Sequence, residues 1–237
     1  MAFSIARWRK RKAEKLSHRN ALMRLRSLGF APATIYDIGA YRGGWTKLAQ
    51  EVFPDAAFVL FEANADHATD LGRSSRRHVI VALGAEDGGA KPFHLPRQGD
   101  VTGASLYIEK TPHYAASNLE VRQVETARLD TIVGRERLPP PDLVKIDVQG
   151  AELDVMAGGS LALQGAAALI VEVSLIDYNK QAPLIAEVLA GVDRYGFRCA
   201  DLCELHRTAD GFVLQLDLLF VGPALYGKYC AAAGVSS

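Results

Sequence analysis

Short apolar or β-branched runs recur along this chain, separated by stretches with a helical spacing of apolar residues. Runs at 34–38, 57–61, 78–83, 143–148, 168–174, 197–201 and 212–221 predict strands. Helical patterns at 44–53, 65–73, 150–158 and 183–195 predict the helices between them. Strand and helix in alternation imply βαβ units, so the expected fold is α/β and Rossmann-like. Its central sheet should be mostly parallel, with helices on both faces. The run at 212–221 is long and alternates at its start, which predicts an antiparallel C-terminal strand. From 88 to 130 the pattern weakens into Gly, Pro, Ser and polar residues, with one alternating stretch at 121–127. That segment is expected to be irregular and to fold over the carboxyl edge of the sheet, where ligands bind. Pro139-Pro140-Pro141 reads as a rigid connector before the next strand.

Charge divides the chain in two. Nine Lys/Arg face one acid, Glu14, up to Arg26, which leaves the remainder net negative by eight although the whole is neutral. Residues 1–30 are therefore expected to form a basic, helical N-terminal segment and residues 31–237 the α/β domain. The segment has two readings: a solvated helix that finally packs Leu22, Leu25 and Leu28 on the domain, or a weak contact of residues 1–26 with anionic membrane or nucleic acid. With 237 residues, 49% hydrophobic and 23% charged, the chain suits one sizeable core. It has no apolar run long enough for a membrane span and no secretory-signal pattern, so a cytoplasmic location is expected. Three cysteines argue for a reducing compartment, and Cys199 and Cys203, without a completing pair, read as buried thiols rather than zinc ligands.

The chemistry concentrates in two stretches. The first, Y-D-I-G-A-Y-R-G-G at 36–44, is a strand, a glycine turn and the start of a helix, the unit that cradles nucleotides. Asp37 would repel a pyrophosphate and suits a cationic or amine-bearing ligand, such as the methionine moiety of S-adenosylmethionine. Gly39, Ala40, Tyr41, Gly43 and Trp45 complete that side of the candidate cofactor site. Glu62 closes the second strand, where an acid hydrogen-bonds a ribose diol, with Ala63 beside it. Ala82, Leu83 and Gly84, after the third strand, are candidates to border an adenine. The second stretch is D-L-V-K-I-D-V-Q-G-A-E at 142–152. Alternation puts Lys145 and Asp147 on one strand face. A lysine within a central strand requires a partner, and Glu172, embedded in another apolar run, is the obvious one. These charges either balance one another structurally or form an active site.

These motifs, in this order, resemble the FkbM family of S-adenosylmethionine-dependent methyltransferases: D-I-G-A-x-x-G-G, F-E at 61–62, A-L-G at 82–84, R-L-D at 128–130 and K-I-D-V-Q-G-A-E at 145–152. The similarity runs from about residue 34 to 221. It implies a Rossmann-like methyltransferase fold and O-methylation, often of sugar hydroxyls in bacterial polysaccharides, glycolipids or secondary metabolites. Tyr41, where the family often has asparagine, and Ala63, where proline is usual, depart from the pattern. S-adenosylmethionine is the implied cofactor. Asp147 is the first choice for general base and Glu172 the second, with Lys145 holding or polarising them. A divalent metal on Asp147 and Glu172 is possible but not favoured. Acceptor contacts are sought at Gln149, Glu152, Ser105, His113 and Tyr114, with His94 and Tyr107 as further donors and flat faces. The acceptor would be a small molecule or glycan, of unspecified identity, and the oligomeric state is open. Competing readings are an RNA methyltransferase using the basic segment, a Rossmann oxidoreductase (disfavoured by Asp37 and the lack of G-x-G-x-x-G), and a catalytically dead binding protein.

Overall fold

The structure, a computed structural model, describes residues 15–73, 76–97, 103–110 and 114–235. It opens with α1 (His18–Ser27), β1 (Thr34–Ile38), α2 (Gly44–Val52), β2 (Ala57–Glu62), α3 (Ala68–Gly72), β3 (Arg77–Ile80) and β4 (Ala82–Leu83). Then come β5 (Ala90–Pro96), β6 (Leu119–Ala127), α4 (Leu129–Glu136), β7 (Leu143–Ile146), α5 (Glu152–Gly158) and α6 (Ser160–Gln164). The chain continues through β8 (Ala168–Ser174), α7 (Ile185–Asp193), β9 (Arg198–Arg207), β10 (Val213–Val221) and α8 (Pro223–Ala232).

Seven strands pair in the order β3-β2-β1-β7-β8-β10-β9. Only β10 runs against its neighbours, as its alternating start predicted. Successive residues of each strand feed opposite cores. Tyr36, Ile38, Val144 and Ile146 meet α4, α5 and α7 through Ile132, Val155 and Val192 on one face. Ile35, Leu60 and Leu143 meet Leu22 and Leu25 of α1, Ala49 and Val52 of α2, and Leu225 of α8 on the other. Both faces are thus covered, which is why the parallel strands read as continuous apolar runs. The connections reverse direction between β1 and β7, opening a crevice at the carboxyl ends of those strands.

Several expectations are corrected. The run at 78–83 is not one strand: β3 ends at Ile80, and Ala82–Leu83 joins a separate three-stranded sheet, β4-β6-β5. The segment 88–130 is not irregular either. Strands β5 and β6 pair antiparallel across it, and α4 begins at Leu129. Pro92 and Pro96 lie in β5, an edge strand where missing donors are tolerated, so its composition imitates a loop. β9 runs ten residues rather than the expected five because its outer part is polar. Cys203 is buried as expected, but Cys199 is exposed.

The end of the basic segment is built into the fold. Ser17 caps α1 by accepting the Asn20 N–H, and Leu22 and Leu25 are fully buried, with Leu28 half-buried. The stretch before residue 15, with most of the basic residues, lies outside the described residues. No helix among the described residues is long and apolar enough to cross a membrane.

Candidate active site

The glycine turn after β1 is folded by its neighbours. Gly39 and Ala40 both donate to the Phe61 carbonyl at 3.0 Å. The Glu62 carboxylate accepts the Tyr41 N–H at 2.7 Å and the Asn64 N–H at 2.8 Å, tying the turn to the end of β2. Burial raises the Glu62 carboxyl pKa, and these N–H bonds oppose the rise without cancelling it. Gly39 has φ +79°, and a Cβ there would lie 1.8 Å from the Asp147 carbonyl oxygen. Glycine is required at this point by the Asp147 backbone and by the left-handed φ.

A cavity of about 860 Å³ opens at the carboxyl edge of the sheet, within the usual range for ligand sites. On its wall are Gly39, Ala40, Tyr41, Trp45, Glu62, Ala63, Ala82 and Leu83 of the expected cofactor residues. Lys145, Asp147, Gln149, Glu172, Ser105 and Tyr114 line it as well. Asp37, Gly43, Gly84 and Glu152 are not on the wall. Neither His94 nor Tyr107 reaches it, and His113 lies outside the described residues. Asp37 sits underneath, fully buried, with one oxygen accepting the Thr46 hydroxyl at 2.5 Å and Oδ1 without a partner. Its pKa is raised by burial, with Lys145 opposing. One end of the cavity is apolar, through Ala63, Val81, Leu83 and Phe93, and the other is charged.

At the charged end, Lys145 donates to Asp147 Oδ2 at 2.7 Å and lies 5.8 Å from the centroid of the Trp45 ring. Burial acts to lower the Lys145 pKa, but Asp147 and Asp37 outweigh it and the net shift is upward, so the ammonium stays charged. Lys145 and Glu172 do not pair directly. Gln149 comes between instead: its amide donates to Asp147 Oδ1 at 3.1 Å and to Glu172 Oε2 at 2.7 Å. The amide oxygen accepts from the Tyr178 hydroxyl at 3.2 Å, which fixes its orientation because carboxylates only accept. Glu172 has its pKa pushed well above the ordinary carboxyl range, by burial first and then by Asp147 and Asp217.

The loop holding Gln149 is shaped from below. Gln149 itself is left-handed (φ 56°), and Glu152 turns back to accept the Gly150 N–H at 2.9 Å and the Val148 N–H at 3.3 Å. The Ser105 hydroxyl donates to the Gln149 carbonyl at 2.8 Å, and Tyr107 donates to Asp154 at 3.1 Å. Glu152 and Tyr107 therefore brace the site without facing the cavity. The R-L-D aspartate is similarly structural: Asp130 accepts the Leu161 and Ala162 N–H groups at the start of α6.

Several wall residues escape the motif reading, among them His18, Tyr178, Glu204, His206, Gln215 and Asp217. His18 comes from α1 and accepts the Trp45 indole N–H on Nδ1 at 3.1 Å, so Nε2 carries the proton it donates to Asp217 Oδ2 at 2.7 Å. Burial acts to raise the Asp217 pKa, but His18 and His206 outweigh it and hold it far below the usual range. A signal for Asp217 was present, since it is a charged residue inside an apolar strand, like Lys145 and Glu172. His18, in the basic leader, gave none.

Residues 37–199, more than half of the chain, match the family model described as the methyltransferase FkbM domain. The chain is 29% identical over 166 residues to the 2-O-methyltransferase NoeI of Sinorhizobium fredii, covering 64% of this chain and 68% of that protein. It is 35% identical over 160 residues to the AMB antimetabolite synthetase AmbE of Pseudomonas aeruginosa, covering 53% of this chain but only 8% of AmbE. Among solved structures, magnesium protoporphyrin IX methyltransferase (ChlM) from Synechocystis PCC 6803 aligns with 92% of this chain and 90% of its own, at 13% identity and a TM-score of 0.48. That likeness is too distant to speak to the chemistry.

Proposed function

The chain belongs to the FkbM methyltransferase family, and on that footing we propose that it transfers the methyl group of S-adenosylmethionine to a hydroxyl oxygen of a sugar or glycan acceptor. The donor set fits this cofactor. An apolar compartment (Val81, Ala82, Leu83, Phe93) suits an adenine, Glu62 stands at its edge for ribose hydroxyls, and the carboxylate-rich end suits a sulfonium cation. When bound, the cofactor supplies an electrophilic methyl group, so the protein has chiefly to align the acceptor oxygen with it. Glu62 already takes two backbone N–H groups and keeps a lone pair on each oxygen for the ribose. Asp37, under the floor of the cavity, acts on the ligand only through its field, alongside Lys145.

Asp147 takes the proton from the acceptor hydroxyl. The observation that carries this assignment is its position: it is on the cavity wall, its side chain 28% exposed, with both oxygens oriented by Lys145 and Gln149. Glu172 is unsuited, because burial and neighbouring acids favour its protonated form. Lys145 holds its proton and serves as the anchor. Transfer to oxygen draws support from the family and from NoeI, a 2-O-methyltransferase by name.

Asp147→Asn should lower turnover by roughly a hundredfold or more, with S-adenosylhomocysteine affinity kept within a few-fold by calorimetry. Undiminished turnover would reject Asp147 as base. Acceptor class is tested with methyl-labelled cofactor and fractionated cell glycans, lipids and RNA. Label entering RNA alone would overturn the sugar assignment.

A further inference from the structure

Strand register lines up four carboxylates on one face of the sheet. Asp217 of β10 lies directly opposite Glu172 of β8 on one side and Glu204 of β9 on the other. Ile146 pairs with Val171, so Asp147, the next residue on its strand, falls in line with Glu172. Carboxylates directly opposite one another on adjacent strands are destabilising while both are charged, so each junction is relieved by a proton, a positive charge or a donor between them. Between Asp147 and Glu172 that donor is the Gln149 amide. Between Asp217 and Glu204 it is His18, whose Nε2 is 2.7 Å from one and 3.5 Å from the other. Between Glu172 and Asp217 no hydrogen bond from the described residues bridges the two.

Lys145 does not fill this gap, since it is bonded to Asp147. The Arg207 side chain, on the same wall, donates to the Gly211 carbonyl. What faces the gap is His206, whose Nε2 is 3.7 Å from Asp217 Oδ2, an ion-pair separation rather than a hydrogen bond. Ligand atoms of Glu172, His206 and Asp217 all lie within 4.8 Å of one another. Asp217 is 5% exposed, and its Oδ1 is buried with no partner.

We propose that Glu172, His206 and Asp217 bind a divalent cation on the cavity wall, one imidazole and two carboxylates serving as its ligands. The neighbouring trio His18, Glu204 and Asp217 is also compact, but both ring nitrogens of His18 are already engaged. The outer contacts suit a metal: Gln149 orients Glu172, and His18 orients Asp217. One nitrogen and two oxygens favour Mn²⁺ or Zn²⁺ over Ca²⁺. All three ligands border the cavity, so the ion's open positions face the acceptor end. The site differs from a pairing of Asp147 with Glu172, and it does not depend on the methyl-transfer reading.

Mn²⁺ titration of the full chain, followed by the electron paramagnetic resonance of free Mn²⁺, and Zn²⁺ titration by calorimetry test the site. One ion per chain is expected, with affinity at least tenfold weaker in His206→Ala and in Glu172→Gln. His206 is 42% exposed in its side chain, so its replacement should fold. Thermal unfolding and S-adenosylhomocysteine binding, measured on the same samples, separate loss of the ion site from loss of the fold or of the cofactor site. No binding at millimolar Mn²⁺ and Zn²⁺ would overturn the proposal. So would affinity unchanged in His206→Ala, or anomalous scattering that puts the ion elsewhere.

Discussion

Among single side chains, the most informative are those that shape the site without touching the cavity. Asp37 and Glu152 stand in recognisable motifs yet lie off the cavity wall, and Gly39, which is on the wall, also answers to the neighbouring backbone. Gly39 clears the Asp147 carbonyl, and Asp37 lies beneath the floor. Glu152 folds the loop that aims Gln149. A motif reports that a residue type is needed at a position, and it cannot say whether the need comes from a ligand or from the next strand. Glu152 also makes a pH prediction. Burial raises its pKa from 4.5 to about 7 against the N–H bonds that lower it. A carboxyl raised in the folded state gives stability that is complete below its unfolded pKa and is lost as pH climbs through the folded one. Between about pH 4.5 and 7 the wild type should lose on the order of 3 kcal/mol from this group. Glu152→Gln should flatten that part of the profile in denaturant melts; an identical pH slope in both proteins would sink the idea.

Secondary-structure elements were legible where both of their faces are buried. β1, β2 and β8 fall within a residue of the expected limits because an uninterrupted apolar run has no other reading. The third run was not legible: Val81 separates β3 from β4, and the choice between two sheets depends on partners far away in sequence. β5 was hidden by its prolines, and α8 by a sequence without an apolar stripe, although Pro223 at its first turn marks a helix start. The cap on α6 also comes from a distance, since Asp130 is thirty-one residues before Leu161. Asp130→Ala should therefore cost about 1 kcal/mol, read as a lower unfolding midpoint with the fold retained. An unchanged midpoint would mean that α6 does not depend on that acceptor.

Considered whole, the molecule does not divide cleanly where its charge does. The helix that ends the basic segment buries Leu22 and Leu25 in one of the two cores and lends His18 to the cavity wall. If residues 1–30 were a dispensable appendage, deleting them would leave the 31–237 domain stable. We expect instead that the deletion lowers thermal stability steeply, because losing even one such leucine side chain costs about 2–5 kcal/mol. Full stability of the truncated protein, measured by calorimetric unfolding, would restore the independent-segment reading.

The doubly covered strands and the helices that alternate with them, the family, and the acid-bearing positions at 62, 147 and 172 were determined by the sequence itself. Each rests on local patterning: an apolar period, a glycine turn, or a charge embedded among apolar neighbours. Which charges meet was decided only by the tertiary structure. Lys145 joined Asp147 rather than Glu172, Gln149 took the place between the two acids, and His18 reached Asp217 across 199 residues of chain. The physical reason is that strand register, set by packing on both faces of the sheet, brings together side chains whose separation along the chain carries no trace of their contact.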